Sequence, residues 1–257
     1  ACKKEKIKPI IGIDAYVAAR SRRDNQAGID NRRTRLVLLA ENLTGYKNLI
    51  KLSTDSNLEG FYYKPRVDPE LLEKYHDGLI AIIPSFSGDI ASALRYGDKE
   101  KAGLKLKMYN DIFGPKNVFL EITHHPEING HEDLMKEIVS FAKGENGALV
   151  ATHDVYYLSP DDKKARETLV AVQSHGDFGD RDNNEADFSF VGEKEIEIWF
   201  KDLPEAVANT KIIADRCNLE LTFGKWVFPD FKLPKGVTLD EELRRLTYEG
   251  IKLRNVE

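Results

Sequence analysis

Short, almost unbroken apolar runs recur along this 257-residue chain, separated by stretches of helical periodicity. Leu36-Val-Leu-Leu-Ala40 and Leu79-Ile-Ala-Ile-Ile83 are the clearest. Successive side chains of a strand point to opposite faces, so a strand apolar at consecutive positions is one buried on both sides. Such strands need covering layers, and strand–helix–strand alternation supplies them. Candidate strands are Pro9–Val17, Arg35–Ala40, Gly78–Ile83, Asn117–Ile122 and Ala148–Val155. The pattern predicts an α/β protein with parallel strands and helices outside them, and leaves an open sheet and a closed barrel undistinguished.

Helix boundaries are punctuated. Asp68-Pro69 makes an N-cap and first turn, with Leu71, Leu72 and Tyr75 as the buried stripe and Gly78 closing the unit. A second helix runs from Ser87 to Tyr96 before Gly97, and a third starts at Ser159-Pro160 and carries Ala165, Leu169 and Val172. Beyond about Glu195 the character changes. Asp202 to Cys217 reads as an amphipathic helix with Pro204 in its first turn, and Gly224, Pro229, Pro234 and Gly236 then interrupt regular structure. Thr238 and Glu241 form a capping-box pattern for a last helix, 239–254. The chain opens on Ala1 and reaches its first strand at once, and it ends on a helix. Both features are expected of a segment cut from a longer protein at each end.

The net charge of −5 argues against DNA binding by bulk electrostatics. Cys2 and Cys217 form no Cys-x-x-Cys, so no disulfide framework or structural zinc site is indicated, and a reducing cytoplasm is the expected compartment. No apolar run approaches the roughly 20 residues of a membrane helix.

Polar residues stand where strands run out: His124 and His125 after Val118-Phe-Leu-Glu-Ile-Thr123, and His153-Asp154 after Leu149-Val-Ala-Thr152. Strand ends are where parallel α/β proteins build sites, and His with Asp are zinc or manganese ligands; they are equally ordinary loop residues. Asp14 interrupts an apolar strand and therefore needs a partner. Between Arg20 and Arg35 lie six arginines around an Asn25-Gln-Ala-Gly28 turn. They read either as a phosphate-contacting hairpin or as a solvated loop balanced by Asp24 and Asp30. Phe61, Tyr62 and Tyr63 beside Lys64 and Arg66 read either as a base-stacking segment or as loop packing.

Taken in order, several segments resemble the PHP (polymerase and histidinol phosphatase) domain of bacterial DNA polymerase III alpha subunits. They are Lys8-Pro-Ile-Ile-Gly12, Leu36-Val-Leu-Leu-Ala-Glu-Asn-Leu-Thr-Gly-Tyr-Lys-Asn-Leu49, Leu58-Glu-Gly-Phe-Tyr-Tyr-Lys-Pro-Arg66, Gly78-Leu-Ile-Ala81, Ile112-Phe-Gly114, Phe119-Leu-Glu-Ile122, Leu149-Val-Ala-Thr152, Leu203-Pro-Glu-Ala-Val-Ala-Asn-Thr210, Ile213-Ala-Asp-Arg-Cys-Asn218 and Phe223-Gly-Lys225. The resemblance implies a distorted seven-stranded β/α (TIM-like) barrel, here without its first strands. Residues 1–221 would be the PHP domain and 222–257 a linker and the start of the polymerase palm. Such an incomplete barrel exposes strand edges, and poor solubility is expected.

By the same resemblance, the family's metal centre lies at the strand ends, and two of its motifs, HxH and TDH, would precede Ala1. Asp14, His125 and Asp154 occupy residual ligand positions. Three others are altered: Arg35 stands for a His, Ser85 for a Cys and Tyr156 for a His. Arg35 is a permanent cation that cannot ligate a metal. His153 could substitute, although its side chain is expected to leave the strand end on the opposite side from its neighbour. Partial retention of ligands is not partial activity, because a cluster needs several at once. The resemblance thus implies a metal-depleted PHP domain, with Zn2+ or Mn2+ doubtful, acting as a structural and protein-binding scaffold within a template-directed DNA polymerase. The parent's Mg2+-bound aspartates would lie in the palm beyond Glu257. Its partners would be other holoenzyme subunits, a proofreading exonuclease subunit and primer–template DNA. Three alternatives are an active 3′–5′ exonuclease, a stand-alone PHP phosphoesterase and a DNA-binding module led by the arginine-rich loop. Arg35 and Tyr156 count against the first, the Leu203–Thr210 and Phe223–Gly224 segments against the second, and the acidic net charge against the third.

Overall fold

Each apolar run forms a strand, and the residue alternation decides what covers it. The computed structural model describes residues 2, 4–174, 186–224, 226 and 231–254; Lys225 and Pro229 lie outside them. The chain divides into two compact units, Ala1–Glu220 and Leu221–Glu257. In the first, the elements in order are β1 (Gly12–Ala18), β2 (Arg33–Ala40), α1 (Leu43–Leu58), β3 (Arg66–Val67), α2 (Pro69–Lys74), β4 (Leu79–Ile83), α3 (Asp89–Arg95), α4 (Lys99–Phe113), β5 (Val118–Ile122), α5 (His131–Glu145), β6 (Ala148–Ala151), α6 (Lys163–Ser174), α7 (Glu193–Trp199) and α8 (Pro204–Arg216). The second holds α9 (Leu239–Leu253), whose Thr238–Glu241 capping box is formed as the sequence predicts.

The strands make one sheet in the order β3-β1-β2-β4-β5-β6, with β3 and β6 at its edges. This is the expected α/β class, with one correction to the all-parallel reading. β2 runs antiparallel to both β1 and β4, whereas β1–β3, β4–β5 and β5–β6 are parallel. The cause lies in the connection: residues 19–32 carry no helix to take the chain back across the sheet, so β1 and β2 pair as a long hairpin. The strand at 148 also ends at Ala151, earlier than Val155.

Alternation sorts the sheet's side chains into two faces. Leu36, Leu38, Ala40, Leu79, Ala81, Ile83, Leu120 and Ile122 enter the main core with residues of the helices, including Leu52 of α1, Leu72 of α2 and Tyr109 of α4. On the opposite face Ile80, Ile82, Phe119 and Val150 pack with Ile213 and Cys217 of α8, flanked by Val37 and Leu39. Asn209 of α8 donates to the Leu149 carbonyl at 2.7 Å, giving a partner to a carbonyl on edge strand β6. Where α1 meets the turn before β4, space is minimal. A Cβ on Gly45 would lie 2.0 Å from the Gly78 carbonyl oxygen, and Gly78 itself takes a left-handed φ of 71°. Among the described residues, no helix is long and apolar enough to cross a membrane.

Candidate functional site: the strand ends of β4, β5 and β6

The residues that the resemblance puts at ligand positions divide between two places in the sheet. Asp14 of β1 and Arg35 of β2 share the face that α8 covers farther along the sheet, and they pair directly. Arg35 Nε donates to Asp14 Oδ1 at 2.9 Å, and its Nη2 makes a second, closer contact with Oδ2. The partner that a carboxylate in an apolar strand requires is thus Arg35. A guanidinium so engaged puts positive charge and five donors where an ion would need acceptors.

Ser85, just past β4, is likewise engaged. Its backbone N–H and its Oγ both donate to Glu121 Oε2, at 2.8 and 3.1 Å, and Thr152 Oγ1 donates to Glu121 Oε1 at 2.7 Å. Glu121 is partly buried, and desolvation raises its carboxyl above the ordinary range, with the nearby charge of Asp154 adding to the rise against the three donors. Sequence reasoning passed over this residue. The signal was available, since Glu121 interrupts Val118-Phe-Leu-Glu-Ile122 just as Asp14 interrupts its own strand.

Beyond β5 and β6 the site is a cluster of aromatic rings. His125 is 3% exposed, and its ring centroid lies 5.2 Å from His153, 5.5 Å from His131 and 4.9 Å from Phe188. His153 thus stacks with His125, and its Nε2 meets the Ser189 carbonyl at 3.1 Å. His124 stacks on Trp199 of α7 at 4.8 Å. Burial, followed by the like charges of His153 and His131, lowers the His125 pKa to about 4, so its ring is neutral at physiological pH. His124 is also lowered, chiefly by burial. Asp154 is exposed at the edge of this cluster, and Tyr156 is half exposed, packed on Phe188 with the Arg166 guanidinium 4.2 Å above its ring.

The fit to a metal can be tested on these residues. His125 Nε2, His131 Nδ1 and His153 Nδ1 are buried and make no hydrogen bond to protein. Yet among the described residues no three His, Cys, Asp or Glu side chains converge closely enough to hold an ion. With Asp14 turned to Arg35 and Ser85 turned to Glu121, the residues present do not fit a metal cluster.

The arginine-rich loop is resolved in favour of internal pairing. Arg20 donates twice to Asp30, at 3.0 and 2.5 Å. Arg22, 3% exposed, reaches Asp68 at 2.8 Å and Glu59 at 2.7 Å, and Arg23 reaches Glu70 at 2.8 Å. Burial works against the charge of Arg22, but Glu59 and Asp68 outweigh it and hold its pKa raised. Glu70 is pulled down to about 2 by hydrogen bonds from Arg23 and Arg22. Arg66, 1% exposed, donates to the carbonyls of Gly60, Asp30, Arg22 and Asp24, with Tyr62 lying over its guanidinium at 5.3 Å. These cations anchor loops and are not arrayed for phosphates.

Residues 1–125 match the PHP domain family. DNA polymerase III subunit alpha of Thermus aquaticus is 37% identical to the chain over 258 residues, which is 95% of this chain and 21% of that protein. The corresponding proteins of Borreliella burgdorferi and Aquifex aeolicus are each 35% identical, over 98% and 99% of this chain and 22% and 23% of their own lengths. The chain spans about a fifth of the length of these relatives. The chain thus carries a PHP domain in residues 1–125 and is similar over nearly its whole length to DNA polymerase III alpha subunits.

Proposed function

We propose that this segment is a metal-depleted PHP domain serving as a structural and protein-binding platform within a replicative DNA polymerase. The observation that carries this reading is the Arg35–Asp14 pair: a fixed cation and a residual ligand neutralise each other at the place where the family resemblance puts a metal. The engagement of Ser85 with Glu121, at the ends of β4 and β5, supports it. Template-directed nucleotidyl transfer, with its Mg2+-bound aspartates, belongs on this reading to palm sequence outside the chain. Residues 222–257 form the approach to that palm. The cytoplasmic partners are other holoenzyme subunits, including a proofreading exonuclease subunit, and primer–template DNA reached through the rest of the polymerase.

The test is a chelator-sensitive degradation assay on a 3′-recessed primer, using the whole protein with its palm aspartates disabled, combined with elemental analysis. The platform reading expects neither degradation nor stoichiometric zinc or manganese. Degradation abolished by chelator and by His125→Ala would replace it with a proofreading exonuclease.

A further inference from the structure

Glu121 lies at the centre of a hydrogen-bond chain that crosses three strand ends and reaches a helix. Thr152, after β6, donates to its Oε1 at 2.7 Å, and Ser85, after β4, serves its Oε2 through both backbone and hydroxyl. Ser85 Oγ then meets Thr123 Oγ1 at 3.1 Å, and the ring of His131, the first residue of α5, meets the Thr123 carbonyl at 3.1 Å. Ser85, Thr123 and His131 are each under a tenth exposed, so water competes little for these bonds. The loops that carry Ser85, His124–His125 and His153–Asp154 are thereby fastened to one carboxylate rather than to an ion.

We infer that Glu121 is the positioning residue of this strand-end platform, a protein-internal cross-tie that holds the ends of β4, β5 and β6 together. The inference rests on the metal-depleted reading only in taking the tie to work without a cation. Its chemistry is that of hydrogen bonding, not of charge. The carboxylate oxygens accept from one backbone N–H and two hydroxyls, and a hydroxyl can donate or accept. A glutamine can therefore take over the same geometry, its carbonyl accepting from Ser85 and its amide donating to Thr152. Alanine cannot, and neither could glutamine reproduce a carboxylate that bound a metal.

Two backbone amides report the tie. The Ser85 N–H is bonded to Glu121 itself, and the Thr152 N–H is bonded to the Ile122 carbonyl at 2.9 Å across the ends of β5 and β6. Amide hydrogen exchange on the whole protein should accelerate roughly tenfold at both sites in Glu121→Ala, the scale of losing one hydrogen bond, and stay within a few-fold of wild type in Glu121→Gln. Thr152→Val removes one donor with little change of shape, and should loosen the Thr152 amide even if Glu121→Ala does not fold. An unchanged Thr152 amide in Glu121→Ala or Thr152→Val would overturn the inference, as would glutamine failing where alanine fails. Elemental analysis of the same samples separates the two readings. Bound metal that survives Glu121→Gln, together with preserved protection, would sink the metal-depleted reading and leave the tie standing. Metal lost in both Glu121 variants would sink both.

Discussion

Arg35 and Asp14 have side chains 46% and 36% exposed, and their contact is consequently worth little to stability. Arg35→Ala should lower unfolding free energy by under about 1 kcal/mol, measured by denaturant titration. On the proposed reading its importance is chemical: it supplies a cation where a ligand would be needed. His125 behaves in the opposite way. Its pKa is held near 4, below the ordinary histidine value, so the unfolded chain binds the proton more readily than the folded one. Stability from this residue is fully present above about pH 6.5 and is lost as pH falls toward 4. The melting temperature should fall over that window, and His125→Gln should flatten the fall; an equally steep profile in the variant would contradict the assignment. At this scale the sequence was half legible. An aspartate in an apolar strand announces that it needs a partner, but only the hairpin register, which sets Tyr16 opposite Arg35 and Asp14 opposite Val37, brings Arg35 within reach. The same signal at Glu121 identifies a second buried obligation, whose partners Ser85 and Thr152 are 36 and 31 residues away.

At the scale of elements, composition and punctuation read well where local physics decides and poorly where pairing does. The Asp68–Pro69 cap, the Thr238–Glu241 box and the apolar runs of β2, β4 and β5 stand where the residues place them. The direction of β2 was not legible, because strand direction depends on whether a connection crosses the sheet, and residues 19–32 looked like a surface loop. That loop is in fact tied down. Arg66 is almost wholly buried and satisfies four backbone carbonyls, so Arg66→Ala should cost roughly 3 kcal/mol by leaving buried acceptors unpaired, and Arg66→Lys should recover only part of it. Gly45 offers a sharper test, because the intrinsic preference and the packing disagree. Alanine is the better helix former by about 1 kcal/mol. Yet its Cβ would meet the Gly78 carbonyl at 2.0 Å, so Gly45→Ala should destabilise by about 1–3 kcal/mol on chemical unfolding. A stabilising effect would show that α1 can shift away from the turn before β4.

For the molecule as a whole, the chain aligns almost end to end with relatives about five times its length, and the curated name they share is that of a polymerase subunit. Within its sheet, Asp14 is engaged with Arg35, Ser85 with Glu121 and His125 with neighbouring rings. Fold class and family were legible in the sequence because they are spread over many segments. The state of the site was not, because it depends on contacts between residues far apart in the chain. The most direct measurement is elemental analysis of the whole protein after expression with added zinc and manganese, before and after dialysis against a chelator. Well under one ion per chain and an unchanged melting temperature after dialysis are expected on the metal-depleted reading. One or more ions per chain, removed by the chelator with a lowered melting temperature and lost in His125→Ala, would contradict it.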